Sequence, residues 1–275
     1  MTTQRHSWAT RTVVVSLGLV YLLPLVWIVL TAFKSDEEVR SNPNSLVFTP
    51  SFTTFGDIVG TASSSIITSA KIAVTVTVLV LLIAVPAAYA LGRRLTTRWS
   101  RISALLLGVF LVLQMVPQPM AVIPLYGILA QWRLVGNLSG LVVADVALMA
   151  PFAIMLMRPF ILAIPKELYE AASIDGASGL RTFRNIVIPL LPNGIATVGA
   201  IVFIITWGEF IYATTLMTDP ANLPVSGLLA QQTSLYSVSW NKLMGLALLT
   251  SLPLLAVFVV AKRRLVEGLS VGSVK

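Results

Sequence analysis

An all-α membrane protein of six transmembrane helices is what this sequence predicts, on three observations. Of its 275 residues 56% are hydrophobic and only 11% charged, and the mean hydropathy of +0.88 exceeds what filling one soluble core requires. The apolar residues gather into six stretches close to the length, roughly 20 residues at about 1.5 Å of rise each, that a helix needs to cross hydrocarbon. The cations fall in short clusters between those stretches.

The first stretch, Thr12 to Phe33, follows Arg5 and Arg11. A cleaved signal peptide is the competing reading, but the apolar run is long and no small-residue cleavage site closes it. The second, Ile67 to Leu91, carries Lys71 near its start, where the amine can snorkel to the interface. The third, Ile102 to Leu125, runs through Pro117, Pro119 and Pro124, which predicts a kink or break. Such breaks are tolerated where protein or a wet cavity satisfies the freed carbonyls. The fourth, fifth and sixth are Leu138 to Met157, Gly194 to Met217 and Leu243 to Ala261.

Charge alternates across these spans. Arg5 and Arg11, then Arg93, Arg94, Arg98 and Arg101, then Arg158, Lys166, Arg181 and Arg184, and finally Lys262, Arg263, Arg264 and Lys275 lie on one side. The other side holds Lys34, Arg40, Arg133 and Lys242, diluted by Asp36, Glu37, Glu38, Asp57 and Asp219. The positive-inside rule puts both termini in the cytoplasm. The expected organisation is a tail over 1–11, a transmembrane domain over 12–261 with a cytoplasmic loop over 158–192, and a tail over 262–275.

Composition also excludes chemistry. There is no Cys, so disulfides, thiolate metal sites and cysteine nucleophiles are out. The single His6 sits in the polar tail, which argues against histidine catalysis. The formal charge of +8 is not gathered on one basic face, so no nucleic-acid partner is expected. No G-x-x-x-x-G-K phosphate loop, H-E-x-x-H or G-x-S-x-G occurs, and the Gly56-Asp57 pair falls in an external loop. No metal, cofactor or catalytic residue is therefore expected in this chain.

The 158–192 loop is longer than antiparallel helices need between them. Pro165 suits a first helical turn, and Glu167 and Glu170 favour that helix's positive end. Tyr169, Ala172 and Ser173 share a face by three-and-four spacing. Asp175 and Gly176 should stop the helix, glycine being free to take positive φ. Ser178 can cap a second helix with an apolar stripe of Leu180, Phe183, Ile186 and Val187, ended by Pro189 and Pro192. A helix pair packed under the spans and a knob that enters a groove of another protein both fit this pattern.

The segment EAASIDGASGLRTFRNIVIPLLP, Glu170 to Pro192, resembles the cytoplasmic signature of binding-protein-dependent ABC importer permeases. Glu170, Ala171, Ala172, Asp175, Gly176, Ala177, Phe183, Ile186, Pro189 and Pro192 stand at the family's positions. The resemblance implies a coupling region that sits in a cleft of a separate ATPase and moves with it. Trp207 to Ala213, WGEFIYA, is similar to the fifth-span motif of carbohydrate permeases of the maltose-permease type, with Gly208 where the family usually has asparagine. Glu267 to Lys275, EGLSVGSVK, resembles the tail of the same subfamily, which reaches into the ATPase dimer interface. The partners so implied are a second, related permease, an ATPase dimer that binds ATP and Mg, an extracytoplasmic solute-binding protein, and a sugar, oligosaccharide or polyol as cargo. The location implied is the bacterial cytoplasmic membrane.

Asp145 and Glu209 are expensive in hydrocarbon, about 2.5–3.5 kcal/mol for a central Asp, so each should face protein or water. Glu209 either lines the translocation path or holds structure by hydrogen bonds; for Asp145 the structural role is favoured. Gln118, Trp207, Glu209, Phe210 and Tyr212 are the path candidates, because planar polar groups and aromatic faces are what sugars bind, while Gln114 and Tyr126 flank the same proline cluster. Trp207 and Tyr212 also read as interfacial anchors. Two other classes compete: an ion-coupled secondary transporter relaying charge through Lys71, Asp145 and Glu209, and an intramembrane enzyme. The first predicts internal inverted repeats and interrupted helices in both halves, and only the third span looks interrupted.

Overall fold

A computed structural model describes residues 8–92, 96–233 and 238–271, and within these the side chains of all but 9, 221 and 263–271. The expectations for Arg5, His6, Arg93, Arg94, Arg263, Arg264 and the tail from Glu267 to Lys275 fall on residues or side chains outside that description. Helix dominates: α1 Trp8–Ala32, α2 Asp36–Ser41, α3 Thr53–Gly92, α4 Thr97–Met115, α5 Gln118–Gln131, α6 Leu138–Leu162 and α7 Lys166–Ile174. Then come α8 Gly179–Thr182, a π-helical turn Phe183–Val187, α9 Ile188–Leu190, α10 Pro192–Trp207, α11 Ile211–Leu216, a 3-10 turn Pro220–Asn222, α12 Val225–Gln231 and α13 Trp240–Val271. Among the described residues the extended pairing is one isolated bridge, Thr233 to Val238.

The chain divides into two compact units, one from residues 8–64 and 228–252, the other from 65–227 and 253–271 of the described chain. In the first unit, α1 exposes Val14, Leu22, Leu23 and Tyr21, as a helix solvated by lipid does. Lys34, one of the cations assigned to the outer side, is 1% exposed. Its Nζ donates to the carbonyls of Pro43 (2.8 Å) and Asn42 (3.3 Å) and lies over the rings of Phe48 and Trp27. Carbonyl dipoles and π faces replace the hydration that burial removes. Ser35 caps α2, accepting from the Glu38 amide, with three acidic residues in its first turn. The core of this unit is Ile58, Ala62, Leu228 and Leu246.

The second unit is built on α3 and α6. Along α3, Ile72, Val76, Val80, Ala84 and Ala88 recur every four residues and are buried, while Val74, Val78 and Leu82 face outward. On α6, Leu141, Ala144, Met149, Ala153, Met157 and Ile161 are buried, and the helix packs against α4, α10 and α11. Small residues set the close approaches. A Cβ on Gly194 would stand 2.8 Å from Phe160, and one on Gly199 would stand 3.1 Å from Leu81. One on Gly140 would collide with the Leu134 carbonyl.

Among the described residues, five helices are long and apolar enough to cross a membrane, and the number reaches six if a bent pair counts as one span. Two expected spans change shape. The third, expected over Ile102 to Leu125, stops at Met115, and α5 opens after Pro117 as a separate helix of 14 residues, too short to cross by itself. Proline explains the break: it contributes no N–H and crowds the carbonyl four residues back. The fifth, expected over Gly194 to Met217, is interrupted at Gly208, leaving α10 with 16 residues. It qualifies only together with Gly179–Leu190, from which it is bent by 75°.

Candidate coupling loop and membrane-core polar cluster

Between α6 and α10 the loop folds as two short helices joined by a tight turn. Pro165 takes the N-cap of α7, one residue before the first-turn position expected of it. Ala172 is buried and Tyr169 half-buried, whereas Ser173, expected on the same face, is exposed. After the C-cap residue Asp175, Gly176 adopts φ +67°. The Gly176 amide donates to the Ser173 carbonyl (3.1 Å) and the Ala177 amide to the Ala172 carbonyl (2.8 Å). This is the paired 5→2 and 6→1 pattern of a Schellman motif, which satisfies carbonyls that the helix end would leave bare.

Ser178 then caps the next helix, its hydroxyl accepting from the Arg181 amide at 3.3 Å. The Ile188 amide reaches back five residues to the Phe183 carbonyl, which makes the Phe183–Val187 turn a wide one. Pro189 is the local cause: it offers Asn185 no N–H and its ring needs room there. Thr182 and Val187 are buried and Phe183 and Ile186 half-buried, but Leu180, expected in the apolar stripe, is 75% exposed. Leu191 makes the bend, and Pro192 opens α10 where it was expected to end the preceding helix. Glu170, Ala171, Ile174, Asp175, Gly176 and Leu180 all lie at the surface of the knob, with Ala177 half-buried beneath.

Two aromatic side chains outside the loop hold this end of the unit, and neither was singled out from the sequence. Tyr89, buried near the end of α3, packs against Phe183 with ring centroids 5.1 Å apart and the planes tilted by 32°, and its hydroxyl donates to the Gly179 carbonyl at 3.2 Å. The indole N–H of Trp99 on α4 donates to the Ala90 carbonyl at 2.9 Å. In sequence each reads as one more aromatic near a span end, indistinguishable from an interfacial anchor.

Deeper in the same unit, Glu209 is 8% exposed and caps α11 by itself: Oε1 accepts from the Tyr212 amide and Oε2 from the Ala213 amide, each at 2.8 Å. Asp145 on α6 is 2% exposed, and its Oδ1 and the hydroxyl of Thr206 have no hydrogen-bond partner. Ser69, Asp145, Thr206, Trp207, Glu209 and Ser226 line a cleft of about 10 Å³, the room of a single water. A pocket for a ligand is larger by more than tenfold, several hundred Å³.

The path candidates therefore separate. Trp207 and Glu209 share the cleft, Trp207 stacking on Phe203 at 5.7 Å, and Tyr212 is buried at 1% exposure. Phe210 is 51% exposed and Gln118 half-buried. Gly208, the position where the motif usually has asparagine, closes α10 as its C-cap. Lys71 is exposed on α3 and is not among the cleft residues, so it does not join Asp145 and Glu209 in a relay here.

Residues 84–268 match the family model described as binding-protein-dependent transport system inner membrane component. The chain is similar to the probable ABC transporter permease protein y4oR of Sinorhizobium fredii, 34% identical over 94% of this chain and 92% of that one. It is similar also to the trehalose transport system permease protein SugB of Mycobacterium tuberculosis, 30% identical over 92% of each. The diacetylchitobiose uptake system permease protein DasC of Streptomyces coelicolor is 29% identical over 96% of this chain and 94% of its own length. Among solved structures, a chain of a bacterial ABC transporter involved in import of the acidic polysaccharide alginate shares the fold, with TM-score 0.77 over 95% of this chain and 99% of that one, at 19% identity.

Proposed function

We propose that this chain, which belongs to the family of binding-protein-dependent transport system inner membrane components, is the permease that passes a carbohydrate through the membrane in an ATP-driven importer. It is a non-catalytic, multi-pass membrane subunit. The observation that carries the mechanism is the loop knob: a helix closed by a left-handed glycine, with Glu170, Ile174, Asp175 and Leu180 exposed around it. Two charged and two apolar side chains on a rigid turn suit insertion into a cleft of an ATPase.

In this reading Glu170, Ala171, Ala172, Asp175, Gly176, Ala177 and Phe183 form the docking and support surface, and ATP and Mg are bound by the ATPase. The partners are a second permease of related fold, an ATPase dimer and an extracytoplasmic binding protein that delivers solute. The termini and the loop face the cytoplasm of a bacterium, as the distribution of Lys and Arg favours. ATP-driven closure draws the coupling loops together, the spans tilt, and the pathway alternates between the two sides. A saccharide as cargo follows from relatives whose names include trehalose and diacetylchitobiose. Gln118 and Phe210 are the path candidates that retain surface to offer it, whereas Trp207, Glu209 and Tyr212 act from beneath.

The test is affinity purification of the tagged chain in mild detergent with identification of co-purifying subunits, beside a Glu170→Lys variant. An ATPase and a second permease should accompany the wild type, and the ATPase should be lost from the variant. A chain that purifies alone and transports in ATP-free vesicles would overturn the proposal in favour of ion coupling.

A further inference from the structure

We infer that Tyr89 is the positioning residue that fastens the coupling loop to helix α3, so that movement of the loop reaches α3 as well as the two helices it continues. The inference rests on the importer reading and adds a residue to it. The loop is covalently continuous with α6 at one end and α10 at the other. Helix α3, which contributes the buried row Ile72, Val76, Val80, Ala84 and Ala88 to the same core, has no such connection and must be reached through side chains.

Tyr89 follows the last residue of that row, Ala88, and grips the loop at two points of different chemistry. Its ring lies against Phe183, the first residue of the wide turn, and its hydroxyl holds the carbonyl of Gly179, the first residue of α8. The tilted ring contact limits how far α8 can move against α3 and the directional hydrogen bond resists sliding, so together they fix the loop helix in position and register. The rest of this end of α3 is secured to the spans: Ala90 accepts from Trp99 of α4, and Gly92 lets Ile161 of α6 come within 3.0 Å of where its Cβ would be. A displacement of α8 thus meets α3 where α3, α4 and α6 converge. Because packed elements of this kind shift as units, the displacement is passed on and not absorbed locally.

The experiment uses the assembled complex in liposomes with its ATPase and binding protein, and reads the ratio of solute-stimulated to basal ATP hydrolysis. Tyr89→Phe keeps the ring and removes the hydroxyl. Its ratio should fall about two- to tenfold, the factor that one neutral hydrogen bond carries, while ATPase co-purification stays as in the wild type and the unfolding temperature drops by no more than a few degrees. A merely structural tyrosine would lower unfolding temperature and leave the ratio alone, and that result overturns the inference. Because this chain has no Cys, a Tyr89→Cys, Phe183→Cys pair gives a second arm independent of the hydroxyl. Unlinked, the pair should be poorly coupled; joined by a short thiol cross-linker, it should recover coupling. Cross-linking that lowers the ratio further would show that the contact must open during turnover, and would overturn the inference. A wild type that binds no ATPase would instead defeat the importer reading itself.

Discussion

Gly176 offers the most discriminating perturbation, because its conformation isolates one cost. A Cβ at this residue would meet nothing within 4 Å, so a substitution causes no collision. The φ of +67° is different: a residue with a Cβ pays about 1–2 kcal/mol in the left-handed region, and a β-branched one pays most readily. Gly176→Val should therefore shift the population of the seated turn by about 5- to 30-fold. If the chain escapes the strain by leaving this conformation, it forfeits the hydrogen bonds from the Gly176 and Ala177 amides and re-aims Asp175 and Ser178. Gly176→Asn is the control, since asparagine tolerates this region and occurs at this helix position. The assay is the apparent affinity of the purified ATPase for the permease in lipid nanodiscs. Valine should weaken it by that factor, and asparagine should stay close to the wild type. Valine binding as tightly as glycine, or asparagine as weakly as valine, would refute the claim that backbone geometry at Gly176 sets the docking surface.

The remaining predictions concern charge, capping and packing. Glu170→Lys alters an exposed side chain, so it should abolish ATPase co-purification without changing the unfolding temperature of the isolated chain. Glu209→Ala removes both acceptors from the start of α11 and should cost up to about 2 kcal/mol of stability, read as a lower unfolding midpoint in detergent, with Glu209→Gln intermediate. Gly140→Ala should fail to yield folded protein, because the added methyl collides with the Leu134 carbonyl, whereas Gly60→Ala, with nothing within 4 Å, should be recovered at wild-type yield. Equal recovery of the two in a fluorescence size-exclusion assay would count against the packing described for α6.

Much of this was legible from the sequence for a physical reason: in lipid the backbone must satisfy itself, so long apolar runs become helices with little choice. The loop was legible because its signals are local. Gly176 stops α7, Ser178 caps α8, and the prolines mark the bend, each acting within four residues of itself. Long-range relations were not. Nothing in the spacing says that Lys34 folds back onto the Pro43 carbonyl, that Leu180 turns outward while Phe183 turns in, or that Tyr89 crosses to a carbonyl 90 positions along the chain. Glu209 shows the intermediate case. Its cost in hydrocarbon marked it as a residue with a partner, but that the partners are the next helix's own amides depends on the break at Gly208, which apolar periodicity hides. The third span erred in the same way: hydropathy runs on through Pro117 although the backbone cannot.

The most direct measurement of the central claim is uptake of labelled oligosaccharide into liposomes holding the complete complex, with binding protein outside or inside according to orientation and ATP supplied to the loop side. Uptake that needs both ATP and binding protein, and that falls in Gly176→Val by up to about 5- to 30-fold while the chain remains inserted, is the predicted result. Uptake that proceeds without ATP and follows an imposed ion gradient would contradict the account.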